Sequence, residues 1–402
     1  MKWNWEQDNW PDFNYDTSLL KEFEGQFAIE SAKLLGAVSI IGEDERDRFT
    51  VDLLSEEALK SSSIEGEILN RDSVISSLLR QFGLEPNYKD LNVTDKERGI
   101  AALVTDNYRS HSEPLTHDRL FDWHPCVVTR SLLVRDVGKY RTSPEKMEVV
   151  SGPEGRKRVH FVAPPADRVQ SEMETFIKWF NNTAPDGKFP LPALTRAGTA
   201  HIYFESVHPF DDGNGRIGRA ISEKALAQST GRPALVSLSH VIDKTRKEYY
   251  NQLEKNNKGL DITPWLFYFA KTAVDAVSHS QKLVRYTVEK TKLYDRVRDS
   301  LNQRQDKALQ LMFSQGMDGF KGGMNADKYM RTTGSIRKTA TRDLQSLVAL
   351  GILTKTGERK GTRYWLNLGD EFDGQKSTYL KEQAEKRHPV LDKLKQSQKE
   401  RE

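Results

Sequence analysis

The sequence has few of the features that stabilise secreted or membrane-bound proteins. Among its 402 residues there is a single cysteine, Cys126, which excludes an internal disulfide and fits a reducing compartment. The longest apolar runs, such as residues 34–41, are far shorter than the ~20 residues that span a bilayer. The first residues are too polar and too aromatic for a signal peptide. We therefore predict a cytoplasmic protein without a membrane partner.

Charge and metal-ligand spacing also give few signals. Lys+Arg 61 against Asp+Glu 58 leaves a formal net charge of +3, which is too small to indicate a nucleic-acid partner by itself. The 9 histidines are scattered and, with one cysteine, show no structural zinc spacing. The length allows two or three domains and a sizeable core.

The most informative stretch is His208–Arg219, which reads HPFDDGNGRIGR between two helix-forming segments. The turn 213–215 (Gly-Asn-Gly) can direct backbone N–H groups at an anion, and the dipole of the following helix favours negative charge there. Arg216 and Arg219 are three residues apart, so they share a helix face and can bind the same phosphate chain. The pattern predicts a polyphosphate site at a helix N-terminus.

Two other side chains in this stretch add chemistry. Asp212 is a hard oxygen ligand suited to Mg²⁺. His208 is the one group in the stretch that accepts a proton near neutral pH without a large pKa shift. The residues alone therefore predict a phosphate site beside a base. The alternative is a Gly-Asn turn between two helices with solvated arginines.

The twelve positions match the motif of the Fic family, His-x-Phe-x-Asp/Glu-Gly-Asn-Gly-Arg-x-x-Arg. The resemblance implies a Fic fold and, most often, transfer of AMP from ATP to a protein hydroxyl. It implies ATP as substrate, Mg²⁺ held by Asp212, and His208 as the catalytic residue. The motif residues that it implies for ATP binding are Asp212, Gly213, Asn214, Gly215, Arg216, Ile217, Gly218 and Arg219.

An earlier stretch, residues 61–66 (SSSIEG), resembles the inhibitory motif of Fic proteins, Ser/Thr-x-x-x-Glu-Gly/Asn. Ser61, Glu65 and Gly66 fill its fixed positions. Without the resemblance, the stretch indicates only a helix end and a turn. A carboxylate brought to Arg219 would occupy the guanidinium that the ATP γ-phosphate needs. We therefore predict that Glu65 lies in the nucleotide site and inhibits it. Glu67 is a weaker candidate, because no Gly or Asn follows it.

Two short β-branched segments, residues 147–151 and 158–163, flank a Gly-Pro-Glu-Gly turn and predict a β-hairpin. An exposed hairpin edge can bind an extended peptide by strand addition; the alternative is a small structural ribbon. In the Fic family, a flap at this place holds the target segment over the phosphates. The flap residues that the resemblance assigns to the nucleotide site are Val159, His160, Phe161 and Val162.

Other candidate site residues follow the motif. By resemblance, Tyr249 and Asn257 stand where the family places contacts to the base and the ribose, and a helix–helix contact is the alternative for each. His201 is expected to be a buried structural histidine. His124 and Cys126 are expected to pack in the core.

The rest of the chain predicts a mostly α protein. Helix-period apolar spacing recurs through most of it, and the Trp-rich first 20 residues predict an extended segment held by its aromatics against a later surface.

From about residue 300, three short helical patterns and a two-stranded wing resemble a winged helix-turn-helix. Its basic residues include Arg337, Lys338 and Arg342; DNA binding, protein binding and simple packing are open alternatives.

We divide the chain into an N-terminal helical region (1–95), a Fic catalytic domain (96–290), a winged helix domain (291–370) and a charged tail (371–402).

The predicted function is a protein adenylyltransferase that modifies a Ser, Thr or Tyr of a target protein and is inhibited by Glu65 at Arg219. Open alternatives are another Fic reaction, such as AMP removal or a different nucleotide or phosphate transfer, and a DNA-binding regulator with a nucleotide-sensing Fic domain. The sequence is compatible with a homodimer and does not set the oligomeric state.

Overall fold

The computed structural model describes residues 2–84, 92–128, 134–153, 155–233, 235–317, 319–373 and 376–381. The chain divides into two compact units, residues 1–282 and 283–402. Helices dominate the described residues, and their strands form only two antiparallel hairpins, so the predicted mostly α class is confirmed. No helix in the described ranges is both long and apolar enough to cross a membrane.

The first unit contains a long succession of helices and one hairpin. Its helices are α1 (Lys21–Ser39), α2 (Glu43–Ile64), α3 (Arg71–Gln81), α4 (Asp95–Arg109), α5 (His117–Val127), α6 (Ala166–Asn182), α7 (Ala193–Val207), α8 (Asn214–Thr230), α9 (Leu238–Lys244), α10 (Arg246–Asn256) and the start of α11 (Thr263–Asp295). Its strands, β1 (Glu148–Ser151) and β2 (Arg158–Val162), form the hairpin between α5 and α6.

Helices α7 and α8 form the centre of this unit. Both are buried on nearly all sides, as expected of helices that lack a continuous polar face. Gly198 allows α7 to lie close to α11, because a Cβ at this position would stand 2.6 Å from Leu266 Cδ2 and 3.0 Å from Phe269 Cδ1. The centre of the fold therefore holds the two ends of the 208–213 connection in fixed positions.

The first residues of the chain lie against this centre. Trp5 Nε1 donates a 2.7 Å hydrogen bond to the carbonyl of Val162 in β2. Asn4 is buried, and its Nδ2 donates a 2.7 Å bond to Ser206 Oγ in α7. The prediction of a segment held against a later surface is confirmed, and amide groups contribute to the contact alongside the aromatics.

The second unit follows the predicted order of elements. Its helices are α12 (Gln303–Ser314), α13 (Ala326–Thr333) and α14 (Arg337–Ala349), followed by strands β3 (Leu353–Thr356) and β4 (Arg363–Leu366). The strands pair antiparallel, with Leu353 opposite Leu366. The assignment as a winged helix-turn-helix stays a prediction, as do the four domain boundaries. Most of the predicted charged tail lies outside the described residues.

Candidate active site

A cavity of about 730 Å³ lies in the first unit. Its walls come from the connection between α7 and α8, both strands of the β1–β2 hairpin, α10, and Glu65 just after α2. The structure thus brings together stretches that are more than a hundred residues apart in sequence. The volume is in the range of small-molecule sites.

His208 is directed into this cavity by an unusual backbone conformation. It ends α7 with φ 49° and ψ 59°, in the left-handed region that side chains other than glycine rarely adopt. Arg141 stabilises the turn: its Nε donates a 2.9 Å bond to the His208 carbonyl, and its backbone N–H donates a 3.0 Å bond to the Pro209 carbonyl. A strained residue held by its surroundings at a cavity is typical of functional positions.

Burial and nearby charges set the protonation of His208. Burial lowers its pKa to about 4, and the positive charge of Arg141 acts in the same direction. Its Nδ1 lies 3.8 Å from an oxygen of Glu205, one turn earlier on α7. Burial raises the pKa of Glu205 to about 8, and the charge of Glu65 adds to this effect. At neutral pH, His208 is therefore neutral and free to accept a proton.

The turn after His208 is fixed from within by Asn214. Its Nδ2 donates a 2.8 Å bond to the Phe210 carbonyl, and its Oδ1 accepts a 3.0 Å bond from the Phe210 N–H. Gly213 has φ 84°, and a Cβ there would lie 2.9 Å from Val127 Cγ2. Glycine at this position meets both a conformational and a steric requirement.

Phe210 anchors the same turn through an aromatic stack. Its ring lies 4.1 Å from that of His124, with only 15° between the planes. Two further contacts fix His124: its Nε2 is 3.1 Å from the Asp212 carbonyl, and its Nδ1 accepts a 3.0 Å bond from the Gly138 N–H. His124 is therefore a packing residue, as predicted.

Arg219 is almost completely buried, and all three of its nitrogens are bonded to the segment that contains the predicted inhibitory motif. Its Nε donates to Ser61 Oγ at 3.0 Å and its Nη2 to the Ser61 carbonyl at 2.9 Å. Its Nη1 donates to Glu65 Oε1 at 2.8 Å. Burial alone would raise the pKa of Glu65, but the charge of Arg219 outweighs it and lowers this pKa, so the pair is ionised at neutral pH.

Arg216 is paired with a second carboxylate from the same segment. Its Nη1 donates a 2.6 Å bond to Glu67 Oε2, while the other Glu67 oxygen accepts a 2.7 Å bond from Lys96. Gly66 lies between the two glutamates with φ 82°, a helix-ending conformation that favours glycine. This turn brings Glu65 to Arg219 and Glu67 to Arg216, the two arginines of α8.

The hairpin residues occupy different places around the cavity. His160 and Phe161 line it, whereas the Val162 carbonyl accepts the bond from Trp5 and Val159 is exposed. The ring of His160 is fixed by a 2.8 Å contact between its Nδ1 and Glu254 Oε2. The pairing of β1 with β2 is interrupted between residues 149 and 150.

The remaining predicted residues divide between the cavity wall and the core. Asn257 lines the cavity and donates a 3.0 Å bond to the His160 carbonyl. Tyr249 also reaches the wall but is 1% exposed, and its hydroxyl lies 2.8 Å from His201 Nε2. Ile217 is buried, and Gly218 faces Glu205, whose Oε1 would lie 2.7 Å from a Cβ there.

Sequence reasoning missed three residues of this site and ranked a fourth, Glu67, as a weaker candidate. Glu205 had a usable signal, because it is three residues before His208 on the same helix face. Tyr250 is half exposed at the wall, and its hydroxyl donates to Glu65 Oε2 at 3.2 Å. Arg141 had no local signal, since its contacts are tertiary. Glu67 was ranked below Glu65 by motif spacing alone.

Comparison with known proteins agrees with this geometry. Residues 114–226 match the family model described as Fic/DOC family, and residues 3–84 match one described as a domain of unknown function, DUF4172. The crystal structure of a Fic family protein from Desulfovibrio desulfuricans G20 superposes with a TM-score of 0.51 at 20% identity, covering 89% of this chain and 98% of that one. Residues 114–226 are therefore similar to Fic family domains, and the Fic fold is confirmed.

Curated relatives match over shorter stretches. Protein adenylyltransferase fic-1 of Caenorhabditis elegans is 30% identical over 111 residues, which is 28% of this chain and 20% of the relative. Protein adenylyltransferase Fic of Nematostella vectensis is 24% identical over 190 residues, or 47% of this chain and 36% of the relative. The chain thus spans between a fifth and about a third of the length of these relatives.

Proposed function

We propose that this protein transfers AMP from ATP to a hydroxyl group of a target protein. The observation that carries the proposal is that one cavity is lined by a neutral histidine, by the Gly-Asn-Gly turn that begins α8, and by Glu65, the carboxylate bonded to Arg219 of α8. The relatives named protein adenylyltransferase support the reaction class.

The start of α8 provides the phosphate site. The first N–H groups of a helix have no partner within the helix and favour an anion. Here that helix begins at Asn214, directly after the Gly213 turn. Arg216 and Arg219 extend the positive charge along the same helix. Negative charge that builds on the leaving pyrophosphate would be stabilised by these fixed donors.

His208 removes the proton from the target hydroxyl. The hydroxyl oxygen attacks the α-phosphorus, a new O–P bond forms, and the bond from this phosphorus to the bridging oxygen breaks. Pyrophosphate leaves with that electron pair, and the proton passes to His208. Because Nδ1 of His208 is turned toward Glu205, Nε2 is the nitrogen that accepts it.

Asp212 fits a role in holding Mg²⁺. Its side chain is 59% exposed beside the turn and 3.7 Å from Arg216 Nη2. Mg²⁺ in nucleotide sites takes one or two carboxylates, with water and phosphate oxygens completing its coordination. One exposed carboxylate next to a phosphate-binding turn matches that donor set. Bound there, the ion would neutralise phosphate charge.

Glu65 and Glu67 hold the site in an inhibited state. Each carboxylate accepts a bond from a guanidinium nitrogen of an arginine that the outer phosphates of ATP require, and that nitrogen is then not available to a phosphate oxygen. Glu65 is the stronger inhibitor, because its partner Arg219 is 1% exposed and the guanidinium is shielded from water. Glu67 binds Arg216 less tightly, because its carboxylate is also paired with Lys96.

The hairpin is suited to present the target peptide. Strand β1 is exposed over its whole length, and residues 147–151 also line the cavity. An extended peptide that pairs with this strand would bring its hydroxyl side chain over the phosphates. Strand addition uses backbone groups that every peptide has. Other contacts near the strand would therefore determine which target protein binds.

The product mass tests the reaction class. Glu65→Gly protein incubated with ATP, Mg²⁺ and cell lysate should yield peptides that carry the mass of AMP on Ser, Thr or Tyr. The added mass of a phosphate, or of another nucleotide when mixed nucleotides are supplied, would point instead to a different Fic reaction. Loss of AMP from a previously modified protein would indicate the reverse activity.

A DNA-binding role of the second unit is a separate candidate. Helix α14 begins with Arg337 and Lys338, and Arg342 follows one turn later; the side chains of Arg337 and Arg342 are 66% and 74% exposed. Such a basic helix face suits phosphate contacts. Binding to duplex DNA that weakens steeply with salt, and weakens further in Arg342→Ala, would support this role.

A further inference from the structure

Three ligand-type side chains converge in the first unit, away from the cavity wall. Glu56 lies on α2, His240 on α9 and His279 on α11. Their ligand atoms all lie within 4.8 Å of one another. His240 Nδ1 is 2.5 Å from Glu56 Oε1, and His279 Nε2 is 2.8 Å from Glu56 Oε2. None of the three lines the candidate active site.

One ring nitrogen of the cluster is buried without a partner. His240 is 4% exposed at its side chain. Its Nδ1 meets Glu56 in the contact given above, whereas its Nε2 is buried without a hydrogen-bond partner among the described residues. Buried imidazole nitrogens are normally satisfied, because leaving them unpaired carries a desolvation cost.

The two histidine rings also approach each other closely. Their centroids are 3.5 Å apart, and their planes are 16° from parallel. Both rings therefore lie side by side against the same carboxylate. The group offers one carboxylate and two imidazoles within one small space.

We propose that Glu56, His240 and His279 bind a divalent transition-metal ion, for which Zn²⁺ is the best match. Two imidazoles and one carboxylate are a known donor set for zinc sites with three protein ligands. Bonds of about 2.1 Å to a shared ion place tetrahedral ligand atoms about 3.4 Å apart. The two printed contacts to Glu56 are shorter than that value, and all ligand atoms lie within 4.8 Å of one another, so the side chains would move apart slightly to admit the ion.

Solvent reaches the cluster from the side of Glu56. Glu56 is the most exposed ligand, at 21% of its side chain, against 10% for His279. A water molecule could enter from that side and complete the coordination. The ion would join α2, α9 and α11 in addition to their packing and to the hydrogen bonds between α2 and α9. The site is therefore a cross-link between helices, and its binding energy adds to the stability of the folded state.

Neighbouring contacts hold the ligands in place. Glu57, next to Glu56, accepts bonds from the Ser237 hydroxyl at 3.1 Å and the Ser239 N–H at 3.0 Å. These bonds fix the start of α9, the helix that carries His240. The arrangement was not visible in the sequence, because 184 residues separate Glu56 from His240 (240 − 56) and 39 separate His240 from His279 (279 − 240).

Calorimetric titration of the full chain with Zn²⁺, after EDTA treatment and removal of the chelator, tests the site. We expect one equivalent to bind the wild type, and we expect Co²⁺ at the same site to give visible absorption bands of low-symmetry coordination. Glu56→Gln and His279→Asn should each lower the affinity by about 100-fold or more. His111→Gln, a histidine outside the cluster, is the matched control and should bind as the wild type does.

Thermal denaturation gives an independent readout. Zn²⁺ should raise the melting temperature of the wild type and of His111→Gln, but not that of the cluster variants. If Glu56→Gln does not fold, His279→Asn serves in its place. Absence of the one-equivalent binding in the wild type, or binding that both cluster variants retain, would overturn the proposal and leave a hydrogen-bonded triad instead.

Discussion

Nη1 of Arg219 donates a 2.8 Å hydrogen bond to Oε1 of Glu65. The other two nitrogens of this guanidinium are held by Ser61, at 3.0 Å to its hydroxyl and 2.9 Å to its carbonyl. Ser61 would therefore keep the guanidinium in place when Glu65 is removed. The part of Arg219 that Glu65 occupies can become free without repositioning the arginine.

Glu65→Gly should increase auto-modification with labelled ATP by about 10- to 100-fold. The range follows from the loss of one charge-assisted hydrogen bond of about 1.5–3 kcal/mol that competes with the γ-phosphate. Initial rates of label incorporation at subsaturating ATP provide the measurement. Glu248→Gly, at a glutamate of α10 that does not line the cavity, is the control. Equal rates for the wild type and Glu65→Gly would refute the inhibitory role.

Glu67→Gln should give a smaller increase, of a few-fold. Glu67 contacts Arg216 at 2.6 Å, but it is also paired with Lys96, so a second cation competes for its charge and weakens its hold on Arg216. Adding this substitution to Glu65→Gly should raise labelling above that of the single variant and lower the Michaelis constant for ATP. If Glu67→Gln alone exceeded Glu65→Gly, the order of the two inhibitors would be reversed.

The sequence predicted the parts of the site that lie within one short stretch. These parts are His208, the glycine turn and both arginines. They lie within twelve consecutive positions, so the chemistry of their side chains could be inferred from the sequence without knowledge of the fold. The approach of the segment 61–67 to α8 was predicted through the Fic resemblance, which identified Glu65 but not the pairing of Glu67 with Arg216. That pairing depends on the left-handed Gly66 turn, which sequence alone does not distinguish from an ordinary helix end.

Tertiary contacts account for most of what the sequence did not predict. Tyr249 and Tyr250 are neighbours, and only the packing of α10 decides that Tyr249 faces His201 while Tyr250 reaches Glu65. The role of Tyr249 at the nucleotide stays a prediction. Arg141 stabilises the turn after His208 from a loop 67 residues away, a distance at which no local pattern exists.

The protonation of His208 predicts the pH dependence of transfer. Its pKa is lowered to about 4, so the neutral, proton-accepting form persists as pH falls and is lost only near that value. With Mg²⁺ in excess, kcat/KM of Glu65→Gly should change little between pH 7.5 and 5.5. A histidine with an ordinary pKa near 6.5 would instead lose about tenfold over this range. Such a loss in the data would contradict the buried, neutral state of His208.

The N-terminal segment should contribute to stability. Asn4→Ala removes the 2.7 Å bond from Asn4 Nδ2 to Ser206 Oγ in a buried setting, so the free energy of unfolding should fall by about 1–3 kcal/mol. Urea denaturation followed by tryptophan fluorescence measures this change. Asn9→Ala, at an exposed asparagine of the same segment, should change stability by less than about 0.5 kcal/mol. Equal effects of the two substitutions would mean that the Asn4 contact adds nothing.

The central claim is that His208 is the base of a nucleotide transfer. Labelling by α-labelled ATP, compared between Glu65→Gly and the double variant Glu65→Gly/His208→Ala, tests it most directly, with ATP affinity measured on both proteins. Because we propose that the turn and the arginines bind the phosphates and that His208 does not, we predict that the double variant binds ATP within a few-fold of the single variant and transfers no label. A double variant that binds ATP and still labels protein at a comparable rate would contradict the claim.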